Sequence, residues 1–273
     1  MVMKLCGQTV LITGCGMGIG KLTATSLAKL GCDIIGVDIK ASLMKEVKSE
    51  ITSLGQKFYP MECDLSSEKS IESLLKSIQK QKLTFQILIN NAGIAPSGPF
   101  TDKDFSVWNK TMQINLIGVT KLTYLCLPLL KKESEACIIN LASIAGKFGS
   151  EGTVIYSATK HAVVGFSQAL RMELADTKIG VSWVCPTMVN TRMINGVKPS
   201  FFTPVIEPQV VTDAILRAIQ KNPGEVMVPG ILRLTAVILP ALFPKFSLWL
   251  AIKTKASKGW LLANKGLEKN IPI

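Results

Sequence analysis

Thr9-Val10-Leu11-Ile12-Thr13-Gly14-Cys15-Gly16-Met17-Gly18-Ile19-Gly20 is the stretch that decides how this chain folds. A strand-like apolar run empties into a turn with glycine at 14, 16, 18 and 20, and a helix-like segment, Ile19 to Leu30, leaves it. Glycine is needed there because the backbone bends sharply and must let a pyrophosphate approach amide groups at the helix N-terminus. Glycines alone would mark only a tight turn; the strand before and the helix after supply the context for nucleotide binding.

The alternation continues outward from that turn. Strand-like runs at Cys32 to Val37, Phe58 to Met61, Phe85 to Ile89, Ala136 to Leu141 and Val181 to Cys185 are separated by helix-like segments. Those segments are Ser42 to Leu54, Ser67 to Lys80, Trp108 to Leu130 and Ile155 to Leu174. The pattern predicts an α/β fold, a doubly wound parallel sheet with helices on both faces. No repeat, low-complexity tract or Gly/Ser linker divides the chain, so residues 1–230 are expected to form one nucleotide-binding unit and 231–273 an apolar, basic C-terminal extension. At 273 residues, 48% hydrophobic and 18% charged, the chain can bury a substantial core, which excludes intrinsic disorder.

In a sheet of this kind ligands bind where loops leave the carboxyl ends of the strands. Asp38 closes the second strand-like run, where a carboxylate can accept from both hydroxyls of an adenosine ribose and would repel a 2′-phosphate. NAD is therefore favoured over NADP, with Lys21 and Lys40 pointing the other way and Met17 adding no charge to the loop. Asp64, before Leu65, could accept from an adenine amino group. Asn91, Ala92 and Gly93 form a small, backbone-rich turn that can lie against the nucleotide or brace the sheet, and the bracing role is the stronger reading for Asn90 before them.

Ser143, Tyr156 and Lys160 form the sharpest pattern. Tyr156 and Lys160 are four positions apart in a helix-like segment and share one face. A tyrosine, with an ordinary pKa of about 10, shuttles protons near neutrality only if a cation stabilises its phenolate. Lys160 can supply that cation, and Ser143, after the fifth strand, can hydrogen-bond a substrate oxygen. A lone Tyr-x-x-x-Lys is usually a solvated helix face; its weight here comes from its company.

With Thr-Gly-x-x-x-Gly-x-Gly, Asn-Asn-Ala-Gly, Ser143 and Tyr156-x-x-x-Lys160 in this order, the chain resembles the short-chain dehydrogenase/reductase family over roughly residues 5 to 230. The resemblance implies a Rossmann fold and an NAD(P)-dependent oxidoreductase interconverting alcohols with ketones or aldehydes. It makes Tyr156 the general acid/base, Ser143 the group orienting the substrate oxygen, and Lys160 the ligand of the nicotinamide ribose that lowers the tyrosine pKa. Asn115 matches a position that holds a water in the proton relay. It places the cofactor on Gly14, Met17, Gly18, Ile19, Gly20, Asp38, Ile39, Asp64, Leu65, Asn91, Ala92 and Gly93, with Pro186, Val189 and Thr191 at the nicotinamide. Thr187 departs from the usual glycine, and Ala142 stands where a second serine is frequent. The long apolar helices around Gln113 to Leu130 and Ile155 to Leu174 are implied to pair between subunits of a homodimer or homotetramer.

The formal net charge is +12, and the last 43 residues hold seven basic residues and one acidic, half of it. There the excess overlaps apolar sequence, a pattern that fits an anionic membrane surface better than nucleic acid. Leu234 to Pro244 is the longest uncharged stretch at eleven residues, too short for a span, which takes about 20. Short apolar helices with Phe243, Phe246, Trp249 and Trp260 flanked by lysines suit a membrane or lipid-droplet interface; the alternative is packing over the substrate cleft or a neighbouring subunit. The extension resembles the retinol/17-beta-hydroxysteroid dehydrogenase-like subgroup, which implies a lipophilic small-molecule substrate. A flap from Thr187 to Pro208, carrying Val197, Phe201, Phe202, Val205 and Ile206, would close over it.

The seven cysteines read as reduced and mostly buried, and the strand-like run near Met1 leaves no room for a signal peptide, so a cytoplasmic chain, peripheral to a membrane at most, is expected. His161, the single histidine, points away from Lys160 and reads as structural, and no metal site is expected. Two other functions compete: an NADPH-dependent 3-oxoacyl thioester reductase, against which Asp38 counts, and a catalytically silent membrane-associated nucleotide sensor, against which the intact Ser143, Tyr156 and Lys160 count.

Overall fold

Successive residues of β1 (Thr9–Thr13) bury on opposite sides of a sheet, as a strand with both faces covered requires. Val10 and Ile12 pack with Ala24, Leu27 and Ala28 of α1 (Gly18–Lys29) and with Ala214, Ile215 and Ala218 of α7 (Pro208–Lys221). Leu11 packs on the other side with Ile71, Leu74 and Ile78 of α3 (Glu68–Lys80) and with Leu122 and Cys126 of α5 (Val119–Leu130). The computed structural model describes residues 3–198, 204–255 and 258–262.

The other strands are β2 (Asp33–Asp38), β3 (Phe58–Glu62), β4 (Ile87–Asn90), β5 (Ala136–Leu141), β6 (Ile179–Pro186) and β9 (Glu225–Val228). With β1 they form one seven-stranded sheet, all parallel, in the order β3-β2-β1-β4-β5-β6-β9. The expected doubly wound α/β architecture is present. Strand order reverses between β1 and β4, and the loops leaving those two strands diverge to open a crevice at their carboxyl ends.

Most expected elements lie within a few residues of their predicted bounds, and the differences have local causes. The helical region expected from Trp108 begins at Phe105, because Asp104 Oδ1 accepts from the Ser106 amide at 2.7 Å and caps α4 (Phe105–Met112). A π-helical turn, Gln113–Gly118, then joins α4 to α5 and carries Asn115. Phe105–Leu130 is long and apolar enough to cross a membrane, the only such helix among the described residues, yet its Leu122, Cys126 and Leu130 are fully buried in the core. The region expected at Ile155 to Leu174 is α6 (Val154–Glu173).

The two ends of the flap are paired: β7 (Met188–Val189) runs parallel to β8 (Val205–Ile206). Phe201 and Phe202 lie outside the described residues. Pro208, read from sequence as the end of the flap, instead opens α7, where a residue without an amide hydrogen is tolerated because first-turn amides have no partner.

Beyond β9 the chain continues through a π-helical turn (Leu234–Ile238), α8 (Leu239–Leu242), α9 (Pro244–Thr254) and α10 (Lys258–Leu262), short helices as expected. Leu232 and Ala236 pack against Trp183, Cys185 and Met227. Ile231, Leu242, Phe243, Trp249 and Ile252 remain exposed. Cys6 is exposed; the other six cysteines are buried, and all are free. Burial pushes the Cys15, Cys32 and Cys185 thiols up to about 12, which keeps them protonated and inert.

Candidate active site

The turn between β1 and α1 is built from glycine for steric reasons the structure makes explicit. Gly14 and Gly18 have φ of +65° and +55°, in the left-handed region. A Cβ on Gly16 would stand 2.8 Å from Leu43 Cβ and 2.9 Å from Asp38 Oδ2, and one on Gly20 would collide with the Gly14 carbonyl. Asn91 closes the other wall: its Nδ2 donates to the carbonyls of Thr13 and Gly14 at 2.9 and 3.1 Å, tying the end of β4 to the glycine turn. Its side chain is thus spent on shaping the crevice. Asn90 is a brace, as expected, donating to Thr123 and Asn140.

Asp38 is buried at the rim of this crevice. Its Oδ2 accepts from the Gly16 amide and its Oδ1 from the Ile39 amide, both at 2.8 Å. Burial pushes the carboxyl up from its ordinary value, with the two amides opposing. Lys21, one of two lysines that could have met a 2′-phosphate, is held by Glu46 at 2.7 Å and Glu50 at 3.0 Å. Asp64 Oδ1 accepts from the amide and hydroxyl of Ser66, which fixes the carboxylate at the crevice wall.

Ser143 follows β5, where its Oγ accepts from the Ala145 amide at 3.1 Å and its hydroxyl favours the ionised form of the Tyr156 phenol. One turn along α6, Lys160 lies with Nζ 5.7 Å from the centre of the Tyr156 ring and donates to the Leu141 carbonyl at 2.6 Å. Burial raises the phenol from its ordinary value against the pull of Ser143, and lowers the Lys160 ammonium to about 8. The expected lowering of the tyrosine is not what the protein chain alone produces: desolvation of the phenolate raises it, and the group that opposes the rise is Ser143.

A single cavity of about 840 Å³ joins these parts. Asn115 apart, the residues expected to hold the cofactor or carry the chemistry line it: the glycine turn, Met17, Ile19, Asp38, Ile39, Asp64, Leu65, Asn91, Ala92, Gly93, Ser143, Tyr156, Lys160, Pro186, Val189 and Thr191; of the flap residues expected to close over the substrate, Val197, Val205 and Ile206 are not part of the lining. Asn115 is set behind that lining. Its Oδ1 accepts from the Ile94 amide and its Nδ2 donates to the Ile94 carbonyl and to Thr159, so the side chain clamps the loop after β4 to α6. Two further wall residues are named from sequence without a role in the cofactor site. Thr187, noted only as a departure, has a buried hydroxyl without a partner among the described residues. Trp260, read from sequence as a lipid-interface residue with packing over the substrate cleft as the alternative, lines the cavity.

The fit to a nicotinamide dinucleotide can be tested on these atoms. The glycine turn is a cradle that any Cβ would fill, Asp38 stands ready for ribose hydroxyls, and Thr187 Oγ1 is an orphaned polar group at the end where Tyr156 lies. A switch-point crevice of this shape, with a hydroxyl, a phenol and an ammonium gathered at one end, defines a dinucleotide-dependent α/β oxidoreductase acting on small molecules.

Residues 8–200 match the profile of the short chain dehydrogenase family, and the chain belongs to that family. Estradiol 17-beta-dehydrogenase 11 of Rattus norvegicus is 31% identical over 246 residues, which cover 89% of this chain and 82% of that protein. The ketoacyl reductase HetN of Nostoc sp. is 30% identical over 227 residues, covering 82% of this chain and 79% of the relative. Among solved structures, carveol dehydrogenase from Mycobacterium avium in complex with NAD superposes with a TM-score of 0.74 at 21% identity, over 82% of this chain and 97% of that one. The 3-ketoacyl-(acyl-carrier-protein) reductase from Brucella melitensis, complexed with NADH, gives 0.73 at 25% identity over 82% and 97%. The protein is an NAD(P)-dependent oxidoreductase.

Proposed function

We propose that the protein interconverts a lipophilic secondary or primary alcohol with its ketone or aldehyde, using NAD in preference to NADP. The observation that carries this reading is that one cavity, with a mostly apolar lining, holds both the glycine cradle and Ser143, Tyr156 and Lys160. Nicotinamide, when bound, supplies the hydride acceptor or donor. Tyr156 takes the hydroxyl proton of the alcohol or returns it to the carbonyl, and Ser143 steadies the substrate oxygen. Lys160 holds a ribose hydroxyl and places its positive charge near the phenol. Asn115, its side chain spent on Ile94 and Thr159, has only its backbone left to hold a water of the relay.

Asp38 and the neutralisation of Lys21 by two glutamates support NAD. The alternative, a thioester reductase using NADPH, draws support for its substrate class from the similarity to two ketoacyl reductases, while Asp38 opposes NADPH and one of those reductases is complexed with NADH. Exposed Phe105, Ile117, Tyr124 and Met172 on α4 to α6 support pairing with a second copy of the chain. Residues 231–273 are proposed as an extension of the catalytic unit. Its exposed Leu242, Phe243, Phe246, Trp249 and Ile252, beside Lys245, Lys253 and Lys255, support a peripheral contact with anionic lipid from the cytoplasmic side.

The test is turnover of a panel of alcohols, 17β-estradiol, retinol, long-chain secondary alcohols and 2-propanol, with NAD and NADP. Oxidation of the apolar members with NAD, lost in Tyr156→Phe by a factor on the order of 10²–10⁴ while NAD still binds, is the expected result. Activity confined to small polar alcohols, or unchanged in Tyr156→Phe, overturns the reading.

A further inference from the structure

The last described helix, α10, sits at the mouth of the cavity although it is remote in sequence from every other residue there. It is seated backbone to backbone on two sides. A Cβ on Gly259 would run into the carbonyl of Lys198, at the flap, and a Cβ on Gly152 would lie 2.8 Å from the Leu261 amide nitrogen and 2.9 Å from the Trp260 carbonyl carbon. Gly152 itself has a φ of +77° and its carbonyl accepts from the Gly98 amide at 2.9 Å, so this side of the seat is held by the fold. It belongs to the loop that leads directly into α6, four residues before Tyr156. Between the two glycine contacts Trp260 turns inward, packs on Met188, Val197 and Ile194, and lines the cavity that also holds Tyr156.

We propose that α10 is a permanent wall of the substrate pocket and that Trp260 is its specificity-determining residue, an indole plate that favours bulky apolar alcohols over small ones. This rests on the proposed alcohol chemistry of the same site. An indole presents a wide, rigid apolar face at little conformational cost, and its grip on a substrate scales with the apolar area covered, so a large ring or chain gains and a three-carbon alcohol does not. Two glycines are needed because any side chain at position 152 or 259 would lift the helix and withdraw the plate. Met188, Ile194 and Val197 of the flap back the indole, so this wall is built from two chain segments separated by about sixty residues of sequence.

The experiment compares Trp260→Ala, Trp260→Phe and Gly259→Val with the parent chain, full length and with NAD. It uses the apolar alcohol the parent oxidises best and 2-propanol. The expected result is a fall of about ten-fold or more in the ratio of kcat/KM for the bulky alcohol to that for 2-propanol in Trp260→Ala. The loss should lie in KM rather than kcat, with recovery in Trp260→Phe and the same loss in Gly259→Val. An equal effect on both alcohols, or none, overturns the proposal. A second readout needs no turnover: amide hydrogen exchange in residues 258–262 should slow when 17β-estradiol is added with NAD, and that slowing should vanish in Gly259→Val. If the parent oxidises no alcohol, the proposed function fails, and the exchange result still decides whether α10 contacts an apolar ligand.

Discussion

The Lys160 ammonium lies 5.7 Å from the centre of the Tyr156 ring, with both side chains buried and Nζ anchored on the Leu141 carbonyl. Burial moves the two groups in opposite directions, the phenol up and the ammonium down to about 8, so each is pushed toward its neutral form. Alcohol oxidation needs the phenolate and carbonyl reduction needs the phenol. The kcat/KM for oxidation is therefore expected to climb across about pH 7 to 9 while that for reduction stays level over the same range. Steady-state pH profiles in both directions check this, and a level oxidation profile would remove Tyr156 as the base.

The same burial makes Lys160 a cost to stability. Below about pH 8 both the folded and the unfolded chain carry the proton, and the full penalty of an enclosed ammonium applies; it fades as pH rises toward the ordinary lysine value. Lys160→Met should be more stable than the parent near neutrality by on the order of 1–2 kcal/mol, after subtracting the cost of leaving the Leu141 carbonyl unpaired. The gap should narrow above that pH. Urea unfolding at several pH values measures it, and a parent more stable than the variant throughout would contradict the burial argument.

Asp38 accepts from the Gly16 and Ile39 amides, so its carboxylate shapes the rim of the cradle as well as its charge. Asp38→Ser should lower the kcat/KM ratio of NAD to NADP by about ten-fold or more, since one site charge opposite a phosphate is worth at least that. Because two amides lose their acceptor, NAD should also bind more weakly. An unchanged cofactor ratio would show that the carboxylate has no part in the choice.

Glu225 connects the active-site turn to the extension. It pairs with Lys147, just after that turn, with Arg233 at 3.0 Å, at the start of the extension, and accepts from Trp183 Nε1 at 3.1 Å. Burial alone would raise its carboxyl, but Lys147, Trp183 and Arg233 together hold it below the ordinary value. That stabilisation is present above the unfolded value and is lost as pH falls through the folded one. Glu225→Gln strands the enclosed Lys147 charge and should cost on the order of 3 kcal/mol, much of it regained in Glu225→Gln with Lys147→Met. Thermal unfolding of both variants decides whether the pair is enclosed enough to matter.

Exposed Phe243, Phe246, Trp249 and Ile252 beside Lys245, Lys253 and Lys255 lead to an expectation about lipid. The full chain should co-float with vesicles containing phosphatidylserine, less so with neutral vesicles or at high salt, and Phe243→Ser with Trp249→Ser should weaken the association about ten-fold. Equal recovery with neutral and anionic vesicles would leave the lysines without a role.

Much of the site was legible because its chemistry is written in short spacings. Four residues along a helix must put Tyr156 and Lys160 on one face, and a strand that runs into alternating glycines can hardly do other than open a phosphate cradle. Alternating apolar runs likewise required a sheet covered on both sides. What the order of residues could not convey depends on which surfaces meet. Asn91 and Asn115, read as ligands of the nucleotide and the relay, turn their side chains to Thr13, Gly14, Ile94 and Thr159 once the loops are folded together. Burial reverses the expected direction for Tyr156, a quantity that exists only when the walls around it are closed. Trp260 reaches the cavity only because Gly152 and Gly259 let backbones from distant parts of the chain touch. Sequence by itself determined the cradle, the sheet and the pairing of Tyr156 with Lys160, since all three arise from neighbours along the chain; the tertiary structure alone decided what encloses them, since enclosure arises from contacts between residues far apart.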